Sequence, residues 1–175
     1  MIKLVLTDMD DTLIPAGHHG ASDYAIEGIH AMQAAGLHFG PVSGRQPSAM
    51  GWMFRNRSEC FSTGAFCNGQ VMFVDGEVVA SRAIDNDVLM RLADYFEQET
   101  DDTYLKVYRL GDDFWNNDAY CVTSDPERVR RAMKSGGNAW LKGEEAPCRP
   151  VVDDAPVYKA NIWSARSREE LAELR

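Results

Sequence analysis

Residues 2–7 form a short run rich in Ile, Leu and Val, and Asp8-Met9-Asp10-Asp11-Thr12 cuts it off abruptly. An apolar run of this length, ended at once by acids, reads as a buried strand in the middle of a parallel sheet. A loop over 17–20 follows. Ser22 then offers an N-cap, Ala25, Ile26, Ile29 and Met32 recur at helical spacing, and Gly36 stops the helix. A second strand over 37–42 ends at Ser43-Gly44-Arg45. Strand, helix and strand in this order build a right-handed parallel crossover. Asp8 and Ser43 therefore belong on the same C-terminal sheet edge, where open parallel sheets gather their ligands.

Two acids one residue apart, Asp8 and Asp10, repel each other unless a cation lies between them. Magnesium suits such a pair, because it prefers carboxylate, water and phosphate oxygens. With the ion held there, Asp8 can attack a phosphorus atom, while Asp10 protonates the leaving oxygen and later activates water. Ser43 and the backbone N–H groups of the Gly44 turn can cradle phosphate oxygens. The same residues also read as a solvated turn and helix caps.

Further along, the pattern predicts a helix over 47–54 and a short strand near 60–62. Strands over 71–74 and 77–80 flank Asp75-Gly76, a dipeptide suited to a turn with positive φ at both central residues. Beyond residue 81 Asp85 or Asp87 caps a helix with Val88, Leu89, Leu92, Ala93 and Phe96 on one face. A strand over 104–110 alternates like a half-buried one, and 119–123 pairs with it. Asp125-Pro126 opens another helix, closed by Ser135-Gly136-Gly137. A strand over 156–163 and a capping box at Ser167-Arg168-Glu169-Glu170 follow. That last helix reaches Arg175 without a terminating Gly or Asn, which suggests that the coding sequence continues.

Composition narrows the function. With 45% apolar and 26% charged residues among 175, the chain is that of a soluble globular protein. A net charge of −9 without a Lys/Arg cluster excludes a nucleic-acid partner. No stretch reaches the ~20 apolar residues of a membrane span, and the apolar N-terminus is too short for a signal peptide. Cys60, Cys67, Cys121 and Cys148 form no close pair, so they read as reduced thiols in a cytoplasmic protein.

Asp8-Met9-Asp10-Asp11-Thr12 after an apolar strand resembles motif I (DxDxT) of the haloacid dehalogenase-like (HAD) superfamily. Val42-Ser43-Gly44-Arg45 resembles its motif II, and Asn68-Gly69 before a hairpin is similar to the Asn-Gly element of the Cof-like hydrolases. The resemblance is close over residues 1 to about 80. It implies an α/β fold, a doubly wound parallel (Rossmann-like) core over 1–81 with an inserted α/β cap over 82–175. It also implies a phosphatase of sugar phosphates or other small phosphorylated metabolites. Asp8 would be the nucleophile and a Mg²⁺ ligand. Asp10 would be the general acid/base and would bind the metal through its backbone carbonyl. Met9, Thr12, Ser43 and Gly44 would hold the phosphoryl group, with Arg45 and Asn68 facing substrate. The short stretch between Asp8 and Ser43 excludes a lid inserted there and places it after motif II.

The family also needs a motif III Lys and a motif IV acidic pair. Gly111-Asp112-Asp113 with Asn117-Asp118 imitates motif IV at the wrong spacing, where cap residues such as Tyr108 to Trp115 are expected. Lys159 falls inside a strand instead of starting a helix. Asp153-Asp154 reads as solvated, as do His18-His19, Arg55 and Arg57, while Trp52, Met53 and Phe54 read as packing. Three rivals stay open: a phosphosugar mutase of the same superfamily, a catalytically inactive metabolite-binding relic, and a receiver-like signalling domain. The last lacks a phosphorylatable Asp, since residues 50–63 offer only Glu59.

Overall fold

The computed structural model describes residues 2–111, 117–135 and 147–173. Contacts divide the chain into two compact units, Met1–Ala83 with Leu110–Asn117 and Ile84–Arg109 with Asp118–Arg175. Among the described residues no helix is long and apolar enough to cross a membrane.

The first unit is built on a five-stranded sheet in the order β1 (Leu4–Asp8), β2 (His38–Val42), β3 (Gly64–Phe66), β4 (Val71–Val74), β5 (Glu77–Ser81). The first three strands run parallel, and β4 and β5 turn back antiparallel. Helix α1 (Asp23–Ala34) makes the crossover from β1 to β2. It starts where the Ser22 hydroxyl accepts the Ala25 N–H at 3.1 Å, and it buries Ile26 and Ile29. The β4–β5 hairpin turns at Asp75 (φ 52°) and Gly76 (φ 86°), both in the left-handed region that the sequence predicts.

Three expectations change here. Strand β1 stands at the end of the described sheet, and Leu4 and Leu6 are 45% and 48% exposed. Among the described residues it is paired on one side only, by β2, which leaves its other side open where the sequence predicts a central buried strand. Residues 58–60 form a 3-10 turn instead of a strand, and the third strand lies later, at Gly64–Phe66. The turn buries Cys60 and carries Phe61 onto Phe54, ring centroids 5.5 Å apart, packing that an extended segment would forgo. The helix predicted over 47–54 splits into a 3-10 turn at Pro47–Ala49 and α2 (Met50–Met53).

The second unit holds a four-stranded sheet in the order β8 (Cys148–Arg149), β7 (Asn117–Val122), β6 (Thr103–Leu110), β9 (Lys159–Ser164). Leu89 and Ala93 of α3 (Asn86–Glu99) pack with Leu105, Val107, Tyr120 and Val122. Val129 and Ala132 of α4 (Pro126–Ser135) pack with Tyr104 and Cys121. The two sets come from alternate strand positions, so helices cover both sheet faces. For that reason β6 is buried nearly throughout instead of alternating as the sequence suggests. On α3 the buried stripe is Leu89, Ala93 and Phe96, while Val88 and Leu92 are partly exposed. Asp85 caps that helix by accepting the Asp87 N–H at 2.8 Å. The capping box before α5 (Arg168–Ala172) is reciprocal: Ser167 N–H donates to Glu170 at 2.7 Å, and Glu170 N–H to the Ser167 hydroxyl at 3.2 Å.

Arg128 of α4 is buried, and its guanidinium donates to the carbonyls of Phe96, Glu97, Thr100 and Thr103. Three of these belong to the last turn of α3 and its C-cap, where helix carbonyls run short of partners, although the Phe96 carbonyl also accepts the Thr100 N–H at 3.1 Å. The expected helix stop at Gly136-Gly137 lies outside the described residues, as do Asp112, Asp113 and Trp115.

Candidate active site

Parallel register fixes the site. Asp8 pairs with Val42, and Val42 with Ala65, so three strands end level and deliver Asp8 and Ser43 to one edge. Alternation along the chain keeps Met9 fully buried between exposed Asp8 and Asp10. The loop then closes on itself: Ile14 N–H donates to the Met9 carbonyl and Asp11 N–H to that of Ile14, both at 2.9 Å. Asp11 takes a left-handed φ of 59°, which Asp tolerates better than most residues.

Within this turn the Thr12 hydroxyl donates to Asp8 Oδ2 at 3.4 Å. Asp10 is held from across the edge. Arg45 Nη2 lies 3.1 and 3.0 Å from its two carboxylate oxygens, and the Arg45 guanidinium stands 5.9 Å from the Trp52 ring. Both partners are substantially exposed, so the pair contributes at most about 1 kcal/mol. Its significance is positional: it orients Asp10.

Ser43 is buried, and its oxygen accepts the Arg45 N–H at 3.1 Å, which leaves the hydroxyl proton to donate elsewhere. Asn68, at φ 58°, donates its N–H to the Ser43 carbonyl at 3.1 Å. Its side-chain oxygen would stand 2.7 Å from any Cβ at position 44. Gly44 is therefore the residue that lets Asn68 close over the turn. The edge thus gathers Asp8 with Thr12, Asp10 with Arg45, and Ser43 and Gly44 with Asn68.

Other singled-out residues sit elsewhere. His18 and His19 are exposed. Arg55 is paired with Asp23 at 2.5 Å instead of being merely solvated. Met53 and Phe54 pack in the core, whereas Trp52 is 48% exposed. Lys159 begins β9, with its ammonium 5.8 Å from the Tyr108 ring. Asp153 corrects the solvated reading: it accepts from Arg109 and, at 3.1 Å, from Arg149. Asp118, the one described acid of the motif IV look-alike, also bonds Arg109. Sequence reading missed this four-residue network because its members are scattered and pair only through the sheet.

Residues 5–147 match the family described as haloacid dehalogenase-like hydrolase. The chain belongs to that family. No curated protein matches this haloacid dehalogenase-like hydrolase in sequence. Solved structures share its fold. A hypothetical protein of Geobacillus kaustophilus superposes with a TM-score of 0.71 at 19% identity, covering 100% of this chain and 62% of its own. A phosphatase of the haloalkanoate superfamily from Bacteroides thetaiotaomicron gives 0.53 at 20%, covering 87% and 50%. A haloacid dehalogenase-like hydrolase of B. subtilis gives 0.59 at 17%, covering 98% and 64%. The chain thus spans less than two thirds of the length of these relatives.

Proposed function

We propose that this chain carries the nucleophile of a Mg²⁺-dependent phosphatase that hydrolyses a small phosphorylated metabolite, such as a sugar phosphate. The reaction runs through an aspartyl-phosphate, and residues 82–175 serve as an α/β cap on a core begun by 1–81. One observation carries the reading: the β1–β2 register pairs Asp8 with Val42, so Asp8 and Ser43 stand at the ends of neighbouring parallel strands on one sheet edge.

The donors fit the metal. Asp8 and Asp10 present hard carboxylate oxygens at an exposed edge, the chemistry that Mg²⁺ takes, and Asp8 with the Asp10 backbone carbonyl would hold it. When bound, Mg²⁺ neutralises charge between the carboxylates and the phosphoryl oxygens. An Asp8 oxygen attacks phosphorus as the ester P–O bond breaks, and Asp10 gives its proton to the departing oxygen. Asp10 then takes a proton from water, whose oxygen attacks the aspartyl-phosphate, releasing phosphate and restoring Asp8. Met9 N–H, Thr12, Ser43 and the Gly44 turn hold the phosphoryl group. Arg45 must release Asp10 before that carboxyl can carry a proton, and the freed guanidinium can then pair with substrate.

Mg²⁺-dependent phosphate release from p-nitrophenyl phosphate tests this. Asp8→Asn should lower it by at least about 10³-fold, while Asp11→Asn, in a turn that Asn also tolerates, should leave it intact. Undiminished turnover in Asp8→Asn would refute the assignment. Stoichiometric labelling by acetyl phosphate without turnover would favour a receiver.

A further inference from the structure

At the opposite edge of the same sheet, α1 runs toward the start of β2, and the 58–60 turn stands just before β3. There His30, Glu59 and Cys60 place one ligand atom each within 4.8 Å of one another. His30 Nε2 is 3.1 Å from Glu59 Oε1 and 3.8 Å from Cys60 Sγ. A tetrahedral zinc ion, with bonds of about 2.05 Å to nitrogen or oxygen and about 2.3 Å to sulfur, separates N from O by about 3.3 Å and N from S by about 3.6 Å. Both observed distances lie within a few tenths of an ångström of these values, and all three ligand atoms fall within 4.8 Å of one another.

We propose that His30, Glu59 and Cys60 form a zinc site on the face of the core unit away from Asp8. The donor set is one imidazole, one carboxylate and one thiolate. Sulfur disfavours Mg²⁺ and Ca²⁺ and selects zinc or another late divalent metal. Three protein ligands leave the fourth position to water. The support is already built: Gln33, one turn beyond His30 on α1, donates to the Glu59 carbonyl at 2.6 Å and ties the helix to the turn. Cys60 is fully buried, while His30 and Glu59 are 41% and 53% exposed, so the ion enters from their side. Glu59 also lines a surface cleft of about 380 Å³ with His38, Thr63 and Asp75.

Binding is balanced by one proton. The neutral His30 ring offers the Nε2 lone pair with its own proton on Nδ1, Glu59 binds as carboxylate, and Cys60 loses its S–H proton to solvent. Burial, with Glu59 beside it, pushes that thiol up to about 11, so the ion has to displace the proton. The gain is a clamp between α1 and the turn that leads into β3.

Co²⁺ titration of the metal-stripped protein reads the site directly, because a thiolate ligand gives an ultraviolet charge-transfer band that oxygen ligands at Asp8 do not. One equivalent should saturate the band, Zn²⁺ should erase it, and excess Mg²⁺ should leave it unchanged. Cys60→Ser and His30→Gln should each weaken Co²⁺ binding by at least about 100-fold, beyond the ~10–100-fold cost of losing an outer partner. The double variant Cys121→Ser/Cys148→Ser should bind normally. Absence of the band in the parent protein overturns the proposal, as does its survival in His30→Gln or its loss in the Cys121/Cys148 double variant. His30 is partly exposed, so its variant keeps the fold and decides the matter even if Cys60→Ser unfolds.

Discussion

Two glycine-to-alanine substitutions in the first unit should move stability in opposite directions. At Gly40, in the middle of β2, an added Cβ would lie 2.2 Å from the Thr63 carbonyl oxygen, 2.6 Å from its carbon and 2.9 Å from Gly64 N. All three are backbone atoms of the segment entering β3, so no side chain can rotate away. Relief requires β2 and β3 to part by roughly 1 Å, since carbon makes comfortable contact at about 3.5 Å. Overpacking of this kind costs about 1–3 kcal/mol, and a rigid backbone neighbour puts Gly40→Ala at the upper end. Parting the strands also weakens the 2.9 Å bond from Ser43 N–H to the Ala65 carbonyl, a further loss of about 1 kcal/mol. At Gly28, exposed in the middle of α1, a Cβ meets nothing within 4 Å. Alanine there gains about 0.8–1 kcal/mol of helix propensity. Urea unfolding followed by tryptophan fluorescence should therefore separate the two variants by about 4–5 kcal/mol, with unchanged slope. A Gly40→Ala loss under about 1 kcal/mol, or any destabilisation by Gly28→Ala, would refute the close approach of β2 and β3 or the open helix face.

Ser22→Ala should cost about 1 kcal/mol in the same assay, and Ser22→Asp should restore it, because only the Ala25 N–H is left without its partner. Glu97 supplies the pH test. Burial alone would raise its pKa, but hydrogen bonds from Thr123 and Ser124 and the charge of Arg128 hold it below its ordinary 4.5. A depressed folded-state pKa stabilises the fold above 4.5 and is lost as pH falls through the folded value. The acid limb of stability should therefore flatten in Glu97→Gln, and an unchanged limb would count against those bonds.

What the sequence made legible was local. The Ser22 cap, the Asp75-Gly76 turn and the Ser167–Glu170 box each need only residues a few positions apart, and each forms as read. The shared edge of Asp8 and Ser43 is nearly as local, because a single crossover separates them. Strand β3 was hidden because Gly64 and Ala65 carry little strand signal and the larger apolar residues nearby belong to a turn. The half-exposed face of β1 was hidden for the opposite reason: its composition reports what such strands usually bury, not which neighbours the described chain supplies. Pairings over long separations left no trace at all. Arg45 with Asp10, Arg109 with Asp118 and Asp153, and His30 with Glu59 and Cys60 become neighbours only after the sheets are assembled.

The buried Arg128 couples elements that lie far apart in sequence. Helix α3 is complete in sequence by Glu99, yet its last carbonyls also bond a guanidinium from the first turn of α4, 28 residues beyond Thr100. The same guanidinium reaches the carbonyl of Thr103, where β6 begins, so one side chain bonds the end of α3 and the start of β6. Closure of one loop therefore fixes a helix end, a strand start and a second helix together. Amide exchange in the second unit should accordingly show 96–103 and the start of α4 opening as one cooperative block, not as separate elements.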